Sequence, residues 1–186
     1  RSAKQLIRQG DMFQCVLSQR FSSDISGNPF DYYRKLRVTN PSNYLYFYDF
    51  EDYQIIGASP ESLVSVKDGI VTTNPIAGTR PRGNDEEEDQ RLAADLSTDT
   101  KEVAEHRMLV DLGRNDIGRI AQIGTVEVTK YMEVEYFRYV MHLTSIVKGQ
   151  LLKNVTVLDA LKATLPAGTV SGAPKIRAMQ RIYELE

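Results

Sequence analysis

DTKEVAEHRMLVDLGRNDIGR, residues 99–119, is the stretch around which the rest of this chain is organised. It predicts a helix, because Asp99 can act as the N-cap and Glu102 follows at the spacing of a capping box. We expect the helix to end near Gly113, since residues 115–118 are typical of a turn. The sequence therefore predicts a central helix that begins directly after Asp99.

Glu102 and Glu105 stand three positions apart in this helix. Residues at that spacing project from one face with their Cβ atoms about 5–6 Å apart, so two carboxylates there repel each other. Mg²⁺ between them removes the repulsion, because it takes oxygen ligands and often one or two protein carboxylates. In the alternative reading, Glu102 only caps the helix and Glu105 faces water, as charged helix faces usually do.

The composition excludes several classes of function. A net charge of −2 and a pI near 5.8 provide no basic field for nucleic acid. A single cysteine, Cys15, cannot form a disulfide within the chain, which fits a reducing compartment. No run approaches the ~18 apolar residues of a membrane span, and the N-terminus lacks a signal peptide. We therefore expect a cytoplasmic protein that binds neither nucleic acid nor membrane.

The order of elements predicts an α+β fold with mostly antiparallel sheets and helices on the outside. Strands are expected in 12–22, 43–50, 53–59, on both sides of the turn 67–69, in 124–128 and in 135–151. Helices are expected in 2–9, 29–39, 84–96, 99–113, 154–165 and 173–186. The acidic run at 85–89 is expected to face water. The first helix lacks a beginning and the last lacks a stop signal, so we expect a segment of a longer protein.

Two glycine-rich segments could approach a ligand. PIAGTRPRG, residues 75–83, is either a flexible surface loop or an anion-binding loop with Arg80 and Arg82 beside it. PAGTVSGAPK, residues 166–175, leads into a helix at Pro174, and the N-terminus of a helix attracts anions. The second segment is not a P-loop, because GxxxxGK[ST] is absent.

His142 lies on the more polar face of the strand expected at 135–151. A strand is a rigid support for a general acid, and histidine titrates near neutral pH. A satisfied structural histidine is the alternative for His142, and equally for His106, which follows Glu105 in the helix. In the first strand, Gln14 is expected on the side opposite Phe13 and Cys15.

Seven segments in this order resemble the chorismate-utilising enzymes, and among them most closely the large subunit (component I) of anthranilate synthase. They are GDMFQCVLSQRF (10–21), NPSNYLYF (40–47), GASPESLV (57–64), PIAGTRPRG (75–83), DTKEVAEHRMLVDLGRNDIGR (99–119), VMHLTS (140–145) and LPAGTVSGAPK (165–175). The resemblance implies a four-layer α/β/β/α core. It also implies that residues 1–186 are part of a single chorismate-binding domain, without its N-terminal region and C-terminal part.

The resemblance also implies roles for individual residues. Glu102 and Glu105 would be Mg²⁺ ligands that fix a substrate carboxylate through the metal, and His142 would protonate the departing C4 hydroxyl. Glu61 and Thr169 match further positions near the reacting ring, and Gly78, Thr79 and Thr169 would line the site. Asn43, Tyr44 and Leu45 match one wall of the feedback tryptophan pocket, with Asn43 in place of the usual proline.

Two positions indicate which nucleophile attacks. Ala77 stands where aminodeoxychorismate synthases usually carry a nucleophilic lysine, and Gln14 stands where isochorismate and salicylate synthases carry the lysine that activates water. Ammonia from a glutamine amidotransferase is then the expected nucleophile, with pyruvate and anthranilate as products.

Three alternatives remain open: an aminodeoxyisochorismate-forming relative without the lyase step, an aminodeoxychorismate synthase of the same family, and a non-catalytic module that uses the same pocket. Half of the core is expected to be missing, which would expose apolar sheet surface. We also expect residues 1–186 alone to be catalytically inactive.

Overall fold

The computed structural model describes residues 1–186, which form two compact units, residues 1–17 with 63–186, and residues 18–62. The helices are α1 (Ser2–Arg8), α2 (Pro29–Thr39), α3 (Glu86–Thr98), α4 (Thr100–Gly118), α5 (Val157–Thr164) and α6 (Lys175–Leu185), with a 3-10 turn at Gly168–Val170. The strands are β1 (Gln14–Cys15), β2 (Tyr44–Asp49), β3 (Gln54–Ser59), β4 (Ser65–Lys67), β5 (Ile70–Thr73), β6 (Ile76–Pro81), β7 (Glu127–Tyr136), β8 (Val140–Gln150) and β9 (Gly172–Ala173).

A five-stranded antiparallel sheet forms the centre of the first unit. β8 is long enough that β5 and β6 pair with successive parts of one edge, while β7 pairs with the other. β4 and β5 are joined at Asp68 and Gly69, whose φ values of 52° and 77° are those of a type I′ hairpin turn. The predicted α+β class with mostly antiparallel sheets is confirmed, whereas the four-layer core stays a prediction.

α4 packs on β6 and β8 and carries much of the core. Its predicted end at Gly113 is wrong, because the helix continues to Gly118 with Ile117 fully buried. Gly113 lies inside the packing, where an added Cβ would be 3.1 Å from Thr73 Cγ2. Tertiary packing thus overrides the weak helix propensity of the residues at 115–118.

Three further sequence expectations are corrected. The strand expected at 12–22 shrinks to Gln14–Cys15, which pairs with β9. The strand expected at 124–128 instead begins at Glu127 and runs to Tyr136 as β7, and the strand expected at 135–151 begins only at Val140 as β8. The N–H of Phe137 donates to the carbonyl of Val140 and closes the hairpin between them.

The placement of His142 on the more polar face of β8 is confirmed, because Met141 and Leu143 are fully buried and His142 is only partly so. The alternation is interrupted at Thr144 and Ser145, which are both buried.

The second unit follows its sequence signals closely. Asn28 caps α2 by accepting from the N–H of Phe30 at 2.9 Å, and Pro29 occupies the first helical position. β2 and β3 form the expected antiparallel hairpin.

Tyr131 and Tyr136 of β7 are both 49% exposed. The exposed apolar sheet surface that the sequence suggested, from a missing half of the core, stays a prediction. None of the helices combines the length and the apolar character needed to cross a membrane.

Candidate functional site

A bulge at Gly78 organises the pairing of β6 with β8. Ala77 lies opposite Leu143 and Thr79 lies opposite His142, so a step of two residues in β6 matches a step of one in β8. Side chains of neighbouring strand residues point to opposite faces, and the bulge therefore puts Thr79 on the face of His142. Gly78 itself has φ +80°, a conformation that residues with a side chain rarely adopt.

The imidazole of His142 is held by this bulge. Its Nδ1 lies 3.1 Å from the carbonyl oxygen of Gly78 and 3.0 Å from Oγ1 of Thr79. A carbonyl oxygen can only accept, so the contact with Gly78 requires a proton on Nδ1. Nε2 is then the nitrogen that can take up or deliver a second proton. The ring of Phe137 stands against the imidazole with centroids 5.3 Å apart.

Glu102 lies on the other side of the same glycine. A Cβ added to Gly78 would be 3.3 Å from Glu102 Cβ and 3.4 Å from its Oε2. The backbone N–H of Glu102 donates to the capping carboxylate of Asp99 at 3.0 Å, which confirms the predicted N-cap. Gly78 therefore lies between the side chain of Glu102 on α4 and the imidazole of His142 on β8.

Glu105 is one turn further along α4 and meets Gln14 of β1. The side-chain amide nitrogen of Gln14 donates to Oε1 of Glu105 at 3.2 Å, while Oε1 of Gln14 is buried without a hydrogen-bond partner. Both residues line a cavity of about 600 Å³ whose other walls include Phe13, Leu112 and Pro174. The cavity beside Glu105 therefore lies between α4, β1 and the residues that precede α6.

Glu102 and Glu105 are the Mg²⁺ ligands that the sequence resemblance implies, and that role stays a prediction. The Glu102 side chain is only 18% exposed and its charged neighbour is the exposed ammonium of Lys101 at 3.7 Å, while Glu105 meets the neutral amide of Gln14. Residues 1–186 contain no group of three His, Cys, Asp or Glu side chains close enough together to hold a metal ion. Two carboxylates nevertheless fit Mg²⁺, which keeps several waters and often binds one or two protein carboxylates.

The second glycine-rich segment packs on α4. A Cβ added to Gly168 would be 2.1 Å from Leu112 Cδ2, and one added to Gly172 would be 2.2 Å from the carbonyl oxygen of Gln14. Only glycine permits such close approaches. Thr169 is thereby carried in a short 3-10 turn beside α4.

A buried ion pair, which sequence reasoning missed, fastens the start of α6. Nζ of Lys175 donates to Oδ2 of Asp116 at 2.6 Å and to the carbonyl of Thr164 at 2.8 Å. Burial raises the pKa of Asp116, and the hydrogen bond from Lys175 acts in the opposite direction. No local signal reveals this pair, because its members are 59 residues apart.

The first glycine-rich segment is not the anion-binding or flexible loop that the sequence suggested. Residues 76–81 form β6, and both arginines are bound to carboxylates of α3 or its C-cap. Arg80 donates to Asp95 at 2.7 Å and to Asp99 at 2.9 Å. Arg82 pairs with Asp89, which is only 8% exposed, so the expectation that residues 85–89 all face water is also wrong. The hydrogen bond from Arg82 lowers the pKa of Asp89.

His106 is only in part the satisfied structural histidine that the sequence left open as an alternative, because its Nδ1 is buried without a hydrogen-bond partner. The residue is fully buried, and its Nε2 lies 2.6 Å from Oγ of Ser145 on β8. Burial lowers the pKa of His106, with the Ala77 backbone acting in the opposite direction.

The remaining site residues belong to the second unit. Glu61 follows β3, where its N–H donates to Oγ of Ser59 at 3.3 Å. Asn43 precedes β2, and Tyr44 and Leu45 pair with Ser59 and Ala58 of β3. Their assignments to the reacting ring and to a tryptophan wall stay predictions.

Comparison with known proteins places this geometry in a family. The family model for chorismate binding enzymes matches residues 1–186. Anthranilate synthase component 1 of Lactococcus lactis is 64% identical over 184 residues, which cover 99% of this chain and 40% of that protein.

Solved structures agree with this similarity. The crystal structure of anthranilate synthase component I from Streptococcus pneumoniae superimposes with a TM-score of 0.90 at 77% identity, over 100% of this chain and 40% of that one. A Bacillus anthracis protein assigned as a 2,3-dihydroxybenzoate-specific isochorismate synthase gives 0.78 at 30% identity, over 100% of this chain and 51% of that one. The chain thus spans about 40% of the length of the anthranilate synthase subunits it matches.

Proposed function

Because this chain belongs to the family of chorismate-binding enzymes, we propose that it carries part of the active site of an anthranilate synthase. In the proposed reaction, ammonia adds at C2 of chorismate while the C4 hydroxyl leaves as water. Loss of the C2 hydrogen and of the enolpyruvyl group then gives anthranilate and pyruvate. The similarity to anthranilate synthase component 1 supports this choice.

The observation that carries the proposal is the meeting of a carboxylate and an imidazole at Gly78. Its carbonyl oxygen is 3.1 Å from Nδ1 of His142, and a Cβ added to it would be 3.3 Å from Cβ of Glu102. A substrate held at the carboxylates of α4 would lie within reach of a histidine whose Nδ1 is already bound. That arrangement suits delivery of a proton from Nε2 to a leaving hydroxyl.

Mg²⁺ bound at Glu102 and Glu105 would neutralise a substrate carboxylate and fix its position. Gly78, Thr79 and Thr169 would line the site, where Thr79 and Thr169 offer hydroxyl groups. These residues orient the substrate, whereas His142 moves the proton.

The identity of two side chains favours ammonia as the nucleophile. Ala77 has no amine that could capture the substrate covalently, and its side chain shares the sheet face of the buried Leu143. Gln14 contributes a neutral amide beside Glu105 instead of the lysine that activates water in isochorismate synthases. We propose that a glutamine amidotransferase supplies the ammonia in the cytoplasm, and that tryptophan inhibits through the wall at residues 43–45.

The test is an assay of the intact protein with chorismate, ammonium and Mg²⁺, in which anthranilate is measured by fluorescence and pyruvate by a coupled enzyme. We expect equal amounts of both products and no reaction with EDTA. An amino product without pyruvate would identify the enzyme without the lyase step, and isochorismate would identify a water-using relative. We also propose that residues 1–186 alone form no anthranilate, and turnover by them would contradict that proposal.

A further inference from the structure

We propose that His106 and Ser145 are positioning residues that hold the carboxylates of α4 at a fixed separation from the imidazole of His142. The inference rests on the proposed function, because it assumes that Glu102, Glu105 and His142 act on one substrate. Neither residue is expected to touch the substrate.

The contact between them is short and fully enclosed. Nε2 of His106 lies 2.6 Å from Oγ of Ser145, and both residues are 0% exposed. Ser145 is itself held from two further sides, because its Oγ accepts from the N–H of Met132 at 2.9 Å and its own N–H donates to the carbonyl of Pro75 at 3.0 Å. The histidine is therefore anchored to a point of the sheet that cannot easily move.

The contact between His106 and Ser145 connects the helix that carries Glu102 and Glu105 to the strand that carries His142. His106 follows Glu105 directly and lies one helical turn after Glu102 on the same face of α4. Ser145 follows His142 by three residues of β8, which is about 10 Å along a strand. A displacement of α4 along β8 at this contact would therefore change the separation of both carboxylates from His142.

A purely structural hydrogen bond predicts a different result from a positioning one. Loss of a structural bond lowers the unfolding temperature and leaves ligand binding intact in the molecules that remain folded. Loss of a positioning bond also weakens the binding of one Mg²⁺ by both carboxylates. Residues outside the direct ligands typically change metal affinity by about 10–100-fold. Metal affinity is therefore the measurement that separates the two roles.

The experiment compares His106→Leu with the unsubstituted intact protein. The Mg²⁺ concentration that gives half of the chorismate-dependent rise in unfolding temperature is measured for each. We expect this concentration to increase about tenfold in His106→Leu, and His106→Gln, whose amide nitrogen can reach Ser145, to recover most of the affinity. Thr164→Val is the matched control, since it removes another buried hydroxyl whose bonds stay within α5.

An unchanged Mg²⁺ requirement in folded His106→Leu would overturn the inference, and so would an equal change in Thr164→Val. If His106→Leu does not fold, the same comparison is made with Ser145→Ala, with the same expected increase. Anthranilate formation by the unsubstituted protein is scored separately. A protein that shows the Mg²⁺-dependent rise but forms no anthranilate refutes the proposed function, and the titration still decides the role of His106.

Discussion

Gly78 lies directly against Glu102, so that a Cβ added to the glycine would be 3.4 Å from the carboxylate oxygen Oε2. The same added atom would lie 3.1 Å from Cδ1 of Leu96, which is fully buried. Leu96 and Cβ of Glu102, which is 3.3 Å from the added atom, would have to give way by a few tenths of an ångström. The space beside Glu102 therefore depends on the absence of a side chain at position 78.

Gly78→Ala is expected to lower kcat/KM for chorismate by about 10²-fold, the cost of misplacing a reacting group by about 1 Å. Gly124→Ala is the matched control, because Gly124 has the same φ of +80° but a Cβ added to it would have no atom within 4 Å. Both variants should lose about 1–2 kcal/mol of stability from the strained backbone. Equal catalytic losses in the two variants would contradict the role of Gly78.

Glu105→Gln removes a negative charge from the proposed metal site with little change of volume. We expect the Mg²⁺ concentration for half-maximal anthranilate formation to rise by about 10²-fold. Glu87→Gln, an exposed acid in the first turn of α3, should leave that concentration unchanged. A Glu105→Gln enzyme with an unaltered Mg²⁺ requirement would show that Glu105 is not a ligand.

His142→Gln keeps a polar side chain but cannot deliver a proton. We expect kcat to fall by about 10²–10⁴-fold, the usual contribution of a positioned general acid, with a smaller change in KM. The unfolding temperature should change less than that of Gly78→Ala, since His142 is only partly buried. Rapid turnover by His142→Gln would move the role of acid to another group.

Gln14→Lys places an ammonium group where the amide of Gln14 now meets Oε1 of Glu105. By the resemblance to isochorismate synthases, we expect anthranilate formation to decrease and isochorismate to appear in chromatographic analysis of the products. Gln14→Met should decrease anthranilate without new product. Anthranilate as the sole product of Gln14→Lys would show that this position does not select the nucleophile.

Asp11 supplies a pH-dependent contribution to stability. Its carboxylate accepts from Nε of Arg181 at 2.7 Å and from Nε of Arg177 at 2.9 Å, and these bonds lower its pKa from 3.8 to about 2. Because the pKa of Asp11 is lower in the folded than in the unfolded chain, its ionised carboxylate stabilises the fold fully at pH values above the unfolded-chain pKa. This contribution is lost as the pH falls towards the pKa of the folded protein. Asp11→Asn should therefore be less stable than the unsubstituted protein at neutral pH.

The check is the unfolding temperature of both proteins as a function of pH. The difference between them should stay constant above about pH 5 and shrink between about pH 4 and pH 2. A difference that persists unchanged at the lowest pH would assign the effect to the altered side chain itself and not to its charge.

Local signals predicted much of the fold and part of the site. Asp99 accepts from the N–H groups of Lys101 and Glu102 at 2.9 and 3.0 Å, as its spacing indicated. The turn at Asp68 and Gly69 could also be predicted from the sequence, because few residues other than glycine, asparagine and aspartate tolerate positive φ. Such features depend on neighbours within a few residues, and the sequence contains those neighbours.

Features that depend on distant partners could not be predicted in the same way. His106 and Ser145 are 39 residues apart, and Asp116 and Lys175 are 59 apart. The residues at 115–118 looked like a turn because nothing local shows that Lys175 and the core hold them in a helix. The bulge was hidden as well, since Gly78 is equally compatible with a loop.

The bulge in β6 also constrains the length of this part of the chain. Gly78 is the extra residue of the bulge, so its deletion would let Ala77 and Thr79 pair one for one with Leu143 and His142, and Thr79 would stay on the face of His142. The carbonyl oxygen of Gly78, which accepts from Nδ1 of His142 at 3.1 Å, would be lost. A relative one residue shorter between Ala77 and Thr79 would need a different support for its histidine, whatever its remaining similarity.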